Sequence, residues 1–169
     1  MGPRRLQNTL PRDLTLRPFA KGDGPATFDV FYQAVHTGTG DHYTPAQQAA
    51  WVPTAQMPEG WEAKHRATTA FIALQGTEII GFMTLTRNGL IDMAFVRPNV
   101  MGVGVAAQLY EEIEAAAHRH GHRVLSVEAS HLARPFFLRQ GWSVVEARVV
   151  QRDGQNIENF HMEKVLGGC

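Results

Sequence analysis

Hydrophobic residues in the first third of the chain recur at helical spacing. Apolar positions three or four residues apart predict a helix that begins after Asp23. Its apolar face comprises Phe28, Phe31, Tyr32 and Val35. Thr44, Pro45 and Gln47 match an N-cap, a first-turn proline and a capping box, which predicts a second, short helix that ends before Pro53.

Alternating apolar and polar positions predict strands elsewhere in the chain. The predicted strands cover residues 13–19, 70–75, 79–86, 90–96, 124–129, 142–152 and 157–165. The dipeptides Gly76-Thr77, Asn88-Gly89 and Asp153-Gly154 are typical of hairpin turns between consecutive strands. Most neighbouring strands are therefore expected to run antiparallel.

A longer helix is predicted between the strands at 90–96 and 124–129. Its apolar positions recur every three or four residues, and Gly121 stands where a helix-ending glycine is expected. Those positions are Val105, Leu109, Ile113, Ala116 and His120. The order of elements predicts an α+β fold, with a mixed, mostly antiparallel sheet of about seven strands flanked by helices. We assign one domain to residues 13–169 and interpret residues 1–12 as a flexible N-terminal arm.

Composition narrows the functional class. Sixteen basic and sixteen acidic residues cancel, so the net charge gives no indication of a nucleic-acid or membrane partner. No apolar run approaches the roughly 20 residues of a membrane span, and the first residues lack the apolar segment of a secretory signal. The single cysteine, Cys169, excludes an intramolecular disulfide. These features favour a cytoplasmic protein.

The segment between the strand at 90–96 and the long helix carries the first chemical signal. Gly102 and Gly104 lie in a short turn directly before the helix. This order of strand, turn and helix places free backbone N–H groups at the positive end of the helix dipole, where phosphate groups bind. The turn lacks the Gly-Lys-Ser/Thr of a P-loop and the third glycine of a dinucleotide fingerprint. The sequence therefore predicts a pyrophosphate site for a different nucleotide-like cofactor.

A second motif makes this prediction more specific. The motif follows a strand, spans a short helix and comprises Ser130, Ala133, Phe137, Gly141 and Trp142. Together with Val96-Arg97-Pro98 and the glycine turn, it resembles the GNAT superfamily of acyl-CoA-dependent N-acetyltransferases, in one bacterial branch, over about residues 13–165. The family turn pattern, Arg/Gln-x-x-Gly-x-Gly/Ala, falls on Met101, Gly104 and Ala106.

The resemblance implies acetyl-CoA as the cofactor and acyl donor. Its pyrophosphate is expected on the turn, and its pantetheine arm between two strands that splay apart. The expected cofactor contacts are Phe95, Val96, Met101, Gly102, Val103, Gly104, Val105, Ala106, Ser130 and Phe137. Arg134 and Arg139 are candidate contacts of the 3′-phosphate, although surface arginines are usually only solvated.

Two features depart from the family pattern. Met101 stands where the family usually has Arg or Gln, and Val103 stands where a basic residue is common, so backbone amides are expected to hold the pyrophosphate. Phe137 stands where many members have a tyrosine that protonates the departing thiolate. A thiol with a pKa of about 8.5 is a tolerable leaving group without an acid.

Asp92 is the preferred candidate for the general base. It is a charged residue early in an apolar strand, and strand alternation places it on one face with Ala94 and Val96. The resemblance implies that a carboxylate near the start of this strand takes the proton of the acceptor amine. The alternative is a solvated residue shortly after the Asn88-Gly89 turn.

Glu128 and Ser130 complete the candidate catalytic residues. Alternation places both on one face of their strand, together with Ser126. Glu128 is either a second candidate base or a structural residue that bonds nearby backbone. Ser130 is expected to meet the pantetheine arm, and it is one of four candidates for the missing acid: Ser130, His131, Tyr43 and water.

Aromatic and imidazole residues in the first two helices and their loop are candidates for acceptor binding. The resemblance assigns this region to the acceptor wall, which would comprise His36, His42, Tyr43 and Trp51. Trp51 could equally be a core residue. The histidines at 118, 120 and 122 straddle a helix end, where cations are favourable, so no metal site is expected.

The sequence thus predicts an N-acetyltransferase that moves an acetyl group from acetyl-CoA to a primary amine by direct attack. A small-molecule acceptor is favoured because no long acidic stripe would attract a lysine-rich protein. The alternatives are a non-catalytic acyl-CoA-binding or sensing module, suggested by Met101 and Phe137, and a protein lysine or N-terminal acetyltransferase. The family resemblance is compatible with a homodimer, which the sequence does not decide.

Overall fold

The computed structural model describes residues 10–167, so most of the predicted N-terminal arm lies outside the described residues. The strands are β1 (Leu14–Pro18), β2 (Thr69–Gln75), β3 (Glu78–Leu85), β4 (Leu90–Val96), β5 (Val124–Ala129), β6 (Ser143–Arg152) and β7 (Gln155–Val165). The helices are α1 (Gly24–His36), α2 (Pro45–Trp51), α3 (Trp61–Arg66), α4 (Val105–Arg119) and α5 (Arg134–Arg139). The α+β prediction is confirmed.

Local sequence signals set several element ends. The capping box of α2 is formed, because Gln47 N donates to Thr44 Oγ1 over 3.1 Å and Thr44 N donates to Gln47 Oε1 over 2.9 Å. Gly121 follows α4 with a φ of +77°, as expected of a helix-ending glycine. His120, predicted on the apolar face of this helix, is instead exposed at its C-cap, because the helix ends one residue earlier.

The seven strands form a single sheet in the order β1-β2-β3-β4-β5-β7-β6. Every neighbouring pair is antiparallel except β4 and β5, which run parallel. The parallel pair is where the chain crosses through α4, since parallel strands require such a crossover. In the described part of the chain, every helix is too short or too polar to span a bilayer.

Two hydrophobic layers cover the sheet. On one face, Leu109 and Ile113 of α4 are completely buried against β2, β3 and β4. On the opposite face, Phe31 of α1 and Trp61 of α3 stack at 5.5 Å between ring centroids and pack on Phe82 of β3. Burial of these aromatic and aliphatic side chains is the main stabilising contribution to the fold.

A β-bulge in β4 changes which face each residue occupies. Thr84 of β3 pairs with Met93 and Leu85 pairs with Ile91, so Asp92 is left without a partner. As a result, Ile91 packs with Ala94 in the α4 layer, whereas Met93 packs in the α1–α3 layer. The predicted grouping of Asp92 with Ala94 and Val96 is therefore wrong, because one extra residue shifts the alternation.

Candidate active site

The strands β4 and β5 diverge to form a V-shaped gap. They pair only at Leu90–Ser126 and Ile91–Val127, and their carboxyl ends are unpaired with each other. A cavity of about 510 Å³ lies there, between the strand ends, α4 and α5. Its lining includes eight of the predicted cofactor residues: Phe95, Val96, Met101, Gly102, Gly104, Ala106, Ser130 and Phe137.

The other two predicted cofactor residues do not line this cavity. Val105 is only 1% exposed and belongs to the core beneath α4. Val103 packs beside the same core. Any contact of these two residues with a cofactor would therefore have to come from their backbone.

The turn before α4 has the backbone conformation that its glycines allow. Gly102 has a φ of +76° and Gly104 a φ of +100°, both in the region that disfavours other residues. The first hydrogen bond of α4 runs from Gln108 N to Gly104 O, so the amides of residues 105–107 have no partner within the helix. These amides lie at the positive end of a fifteen-residue helix. The turn can therefore bind an anion without a basic side chain.

Backbone groups of β4 also face the gap. Arg97 N donates to Ile80 O of β3 over 2.8 Å. Because the direction of these groups alternates along a strand, the N–H and C=O groups of Val96 and Ala94 point away from β3, toward β5. Those of Phe95 point to β3, so Ala94 and Val96 present the backbone groups of β4 that face the gap.

The wall formed by β5 and α5 is mostly apolar. Ser130 Oγ accepts a hydrogen bond from Ala133 N over 3.1 Å and lines the cavity. Phe137 is 1% exposed and packs edge-on against Trp142, with 5.0 Å between ring centroids. Behind it, Trp142 Nε1 donates to Tyr110 Oη over 3.0 Å, and burial raises the pKa of Tyr110. Arg139 lines the cavity, whereas Arg134 stacks on the Phe160 ring at 4.6 Å.

Asp92 lies at the base of the V-shaped gap, next to the last paired residue of β4. The bulge turns its side chain to the α1–α3 face, opposite the cavity against α4. Lys64 Nζ of α3 lies 3.1 Å from Asp92 Oδ2. This is an ion pair without hydrogen-bond alignment, because the buried Oδ2 atom has no hydrogen-bond partner among the described residues. Lys64 therefore occupies the position beside this oxygen, although the contact is not aligned as a hydrogen bond.

Glu128, across the gap on β5, is already engaged. His161 Nδ1 lies 2.6 Å from Glu128 Oε1, and Arg148 Nη1 donates to the same oxygen over 2.9 Å. Asn159, two residues from His161 on β7, has a buried Oδ1 atom without a hydrogen-bond partner in the described part of the chain. Around the base of the gap, the face opposite α4 therefore carries polar side chains, and two of their buried oxygens lack an aligned hydrogen bond among the described residues.

Two of the predicted acceptor residues, Tyr43 and His36, make structural contacts with the backbone of other elements. Tyr43 is 5% exposed; its hydroxyl donates to Glu158 O over 2.8 Å and accepts from His131 N over 3.0 Å. Burial raises the pKa of Tyr43, which keeps the hydroxyl protonated. His36 Nε2 lies 2.7 Å from Val52 O.

The other two predicted acceptor residues are more accessible. Trp51 is half-buried and contacts Phe95 edge-on, with 6.3 Å between ring centroids. His42 is exposed and stacks on His131 at 5.8 Å. Both side chains belong to the loop and helix that cover β7.

Several site residues were not identified from the sequence. On the polar face these are Lys64, Arg148, Asn159 and His161. Their contacts join elements that are far apart in the chain, so no local spacing indicates them. Phe136 and Ala107 also line the cavity, and their positions next to Phe137 and Ala106 could have suggested it. Among residues 10–167, no group of three His, Cys, Asp or Glu side chains could hold a metal ion.

The glycine turn thus lies beside a gap in the sheet, with a carboxylate at the base of the gap. Comparison with known proteins gives the particular family. The profile described as "Acetyltransferase (GNAT) domain" matches residues 39–166. The chain is 30% identical over 151 residues to the uncharacterized N-acetyltransferase YafP of Escherichia coli K12, covering 89% of this chain and 95% of YafP. The chain belongs to the GNAT family of N-acetyltransferases, whose acyl donor is acetyl-CoA.

Solved structures show the same fold. A GCN5-related N-acetyltransferase from Rhodopseudomonas palustris superposes with a TM-score of 0.86 at 28% identity, covering 94% of this chain and 99% of that one. The acetyltransferase YncA from Salmonella typhimurium, solved with acetyl-CoA, gives a TM-score of 0.66 at 15% identity, with coverages of 92% and 95%. The predicted GNAT fold is confirmed.

Proposed function

We propose that this N-acetyltransferase acts on a primary amine of a small molecule by direct attack on the thioester. The observation that carries the proposal is the position of Asp92, at the base of the gap and on the face opposite the cofactor cavity. Its buried Oδ2 atom has no hydrogen-bond partner among the described residues. The Lys64 ammonium group lies 3.1 Å from it, so this carboxylate is suited to take the proton of an acceptor ammonium group that displaces Lys64.

The cavity against α4 is proposed to hold acetyl-CoA. The amides of residues 105–107 would bind the pyrophosphate, helped by the helix dipole. The apolar walls suit the pantetheine arm, and the backbone groups of Ala94 and Val96 would bond its amides. Arg139 is the cation on the cavity wall that could meet the 3′-phosphate. When bound, acetyl-CoA supplies an activated acetyl group at the base of the gap.

The residues of this chain would then perform four tasks. Asp92, directly or through one water, takes a proton from the amine, which enters from the α1–α3 face. A backbone N–H of β4 stabilises negative charge on the carbonyl oxygen. Glu128, held by His161 and Arg148, orients the acceptor rather than acting as the base. Ser130 is proposed to protonate the departing sulfur, because Phe137 stands where many family members have a tyrosine and the other cavity hydroxyl, that of Thr39, donates to Val35 O.

The covering of the acceptor face favours a small acceptor over a protein segment. Two contacts fasten the α1–α2 loop and α2 to β7: the Tyr43 hydroxyl to Glu158 O, and Gln47 Nε2 to Asn156 O over 2.7 Å. A polypeptide lying across this face would have to break both. A small amine can reach Asp92 beside them.

The direct test is free-thiol release from acetyl-CoA against a library of amines. At least one small primary amine should stimulate release, and Asp92→Asn should lower kcat by about 10²-fold or more, the usual contribution of a general base. Asp13→Asn is the matched control, because Asp13 is exposed beside β1, an edge strand that β2 and β3 separate from β4. Equal activity of the two variants would exclude Asp92 as the base.

A further inference from the structure

Lys64 presents a primary amine at the proposed base. It lies near the end of α3, and its side chain crosses to Asp92, where Nζ and Oδ2 are 3.1 Å apart. The lysine side chain is 57% exposed, so most of its length is free to move. Its ammonium group thus occupies the position where the acceptor amine is expected to lose a proton.

The other two lysines of the chain form no ion pair with Asp92. The sequence contains three lysines, at positions 21, 64 and 164. Lys164 Nζ is held by Gln140 O at 2.9 Å, Glu114 Oε2 at 3.1 Å and Tyr110 Oη at 3.3 Å. Lys21 is exposed in the loop before α1, and no carboxylate of the described residues lies within ion-pair distance of it. Lys64 alone combines mobility with contact to the proposed base.

We propose that Lys64 is a self-acetylation site, modified in its own active site when no acceptor is present. This proposal rests on the function proposed above. Lys64 Nζ gives one proton to Asp92 and attacks the carbonyl carbon of acetyl-CoA. A C–N bond forms and the C–S bond breaks, and the CoA sulfur leaves with its electron pair and is protonated. The products are N-acetyl-Lys64 and free CoA, with one proton released to solvent.

Acetylation would change the acceptor face. The acetamide is neutral, so the ion pair with Asp92 is lost, and the added group occupies space beside the carboxylate. The reaction then ends after one turnover per chain. An external amine would compete with Lys64 for Asp92 and would suppress the modification.

To test this, the full-length protein is incubated with acetyl-CoA in the absence of an amine. Thiol release is followed over time, and acetylated peptides are identified by mass spectrometry. Thiol release should approach one equivalent per chain, with the acetyl group on Lys64 and not on Lys21. The rate constant should not depend on protein concentration, because each chain modifies itself. Lys64→Arg should abolish the release, Lys21→Arg should leave it unchanged, and Asp92→Asn should slow it about 10²-fold.

Two outcomes would overturn the proposal. Equal labelling of Lys21 and Lys64 would indicate uncatalysed reaction of exposed lysines with the thioester. Absence of labelling at Lys64, in a preparation that acetylates a small amine, would refute self-acetylation and leave the proposed function intact. A preparation that neither binds acetyl-CoA nor releases thiol with any amine would instead refute the function itself.

Discussion

Both the backbone conformation at position 104 and the space around it favour glycine. Its φ of +100° is unfavourable for any residue with a Cβ, and an added Cβ would lie 3.2 Å from Leu10 Cδ2. We predict that Gly104→Ala lowers the free energy of unfolding by about 1–2 kcal/mol through backbone strain. We also predict that it displaces the proposed pyrophosphate site, so that acetyl-CoA no longer raises Tm. Differential scanning fluorimetry with and without acetyl-CoA measures both effects.

Gly22 provides the matched control for this substitution. Its φ is +97°, but a Cβ there would meet nothing within 4 Å, and it lies in the loop before α1. Gly22→Ala should therefore carry the strain and keep the response to acetyl-CoA. An unchanged ligand-induced shift in Gly104→Ala would contradict the assignment of this turn.

His65 makes stability depend on pH. It is fully buried with neither ring nitrogen hydrogen-bonded in the described part of the chain, and burial, reinforced by the Lys64 charge, lowers its pKa to about 4. In the unfolded chain the pKa is about 6.5, so the unfolded state binds more protons between these values. The free energy of unfolding should therefore fall by about 3 kcal/mol as the pH drops through this window. Urea unfolding across the window measures it.

Substitution of His65 separates this effect from general acid denaturation. His65→Phe keeps an aromatic ring among Phe19, Trp61 and Phe82 and should remove most of the pH dependence in the window. His120→Gln, at the exposed end of α4, should not. If wild type and His65→Phe lose the same stability, another group is responsible.

At single residues, sequence reasoning was most reliable where chemistry follows from a local motif. Gly104 and Phe137 are assigned to the cofactor site by the resemblance to the family's motifs, and both line the cavity. Asp92, predicted as the general base, lies at the base of the gap, but its predicted face is wrong, because hydrophobic alternation does not show a bulge. Lys64 was missed because its contact with Asp92 depends on how α3 packs on the sheet.

At the scale of elements, the α1–α2 loop and α2 act as a cover on β7. We predict that Tyr43→Phe, which leaves Glu158 O and His131 N without this partner, lowers the free energy of unfolding by about 1–3 kcal/mol. Loosening of the cover should also raise KM for the acceptor and admit bulkier amines. Steady-state kinetics over an amine series of increasing size measures this change.

Tyr32→Phe is the control for loss of a tyrosine hydroxyl in the same region. Tyr32 stacks on His36 at 4.3 Å, and its hydroxyl makes no hydrogen bond with the described residues. This variant should keep both stability and acceptor selectivity. A selectivity change in Tyr32→Phe as large as that in Tyr43→Phe would count against the cover as the cause.

The elements themselves were largely predictable because their signals are local. The capping box of α2 and the turn dipeptides between strands act within four residues. The divergence of β4 from β5 is different, since it results from the packing of α4 and α5 on the sheet. Only the family resemblance indicated it.

At the scale of the whole molecule, the gap between β4 and β5 can be reached from both faces of the sheet. The proposed cofactor cavity opens beside α4 and α5, whereas Asp92 and Lys64 lie on the face covered by α1 and α3. The strand count follows from the sequence pattern, but the order β5-β7-β6 does not. A terminal hairpin could join β5 through either strand, and only the packing of the complete sheet selects β7.

The bulge in β4 places the Asp92 carboxylate on the face opposite the proposed cofactor cavity. This placement has a kinetic consequence. A donor and an acceptor that arrive from opposite faces need not pass one another, so both can be bound in a ternary complex before transfer. Initial-rate lines for varied acetyl-CoA at several amine concentrations should therefore intersect in a double-reciprocal plot. Parallel lines would indicate that the acetyl group rests on the enzyme between two half-reactions. In the proposed function, the extra residue in β4 thus allows both substrates to bind before the acetyl group is transferred.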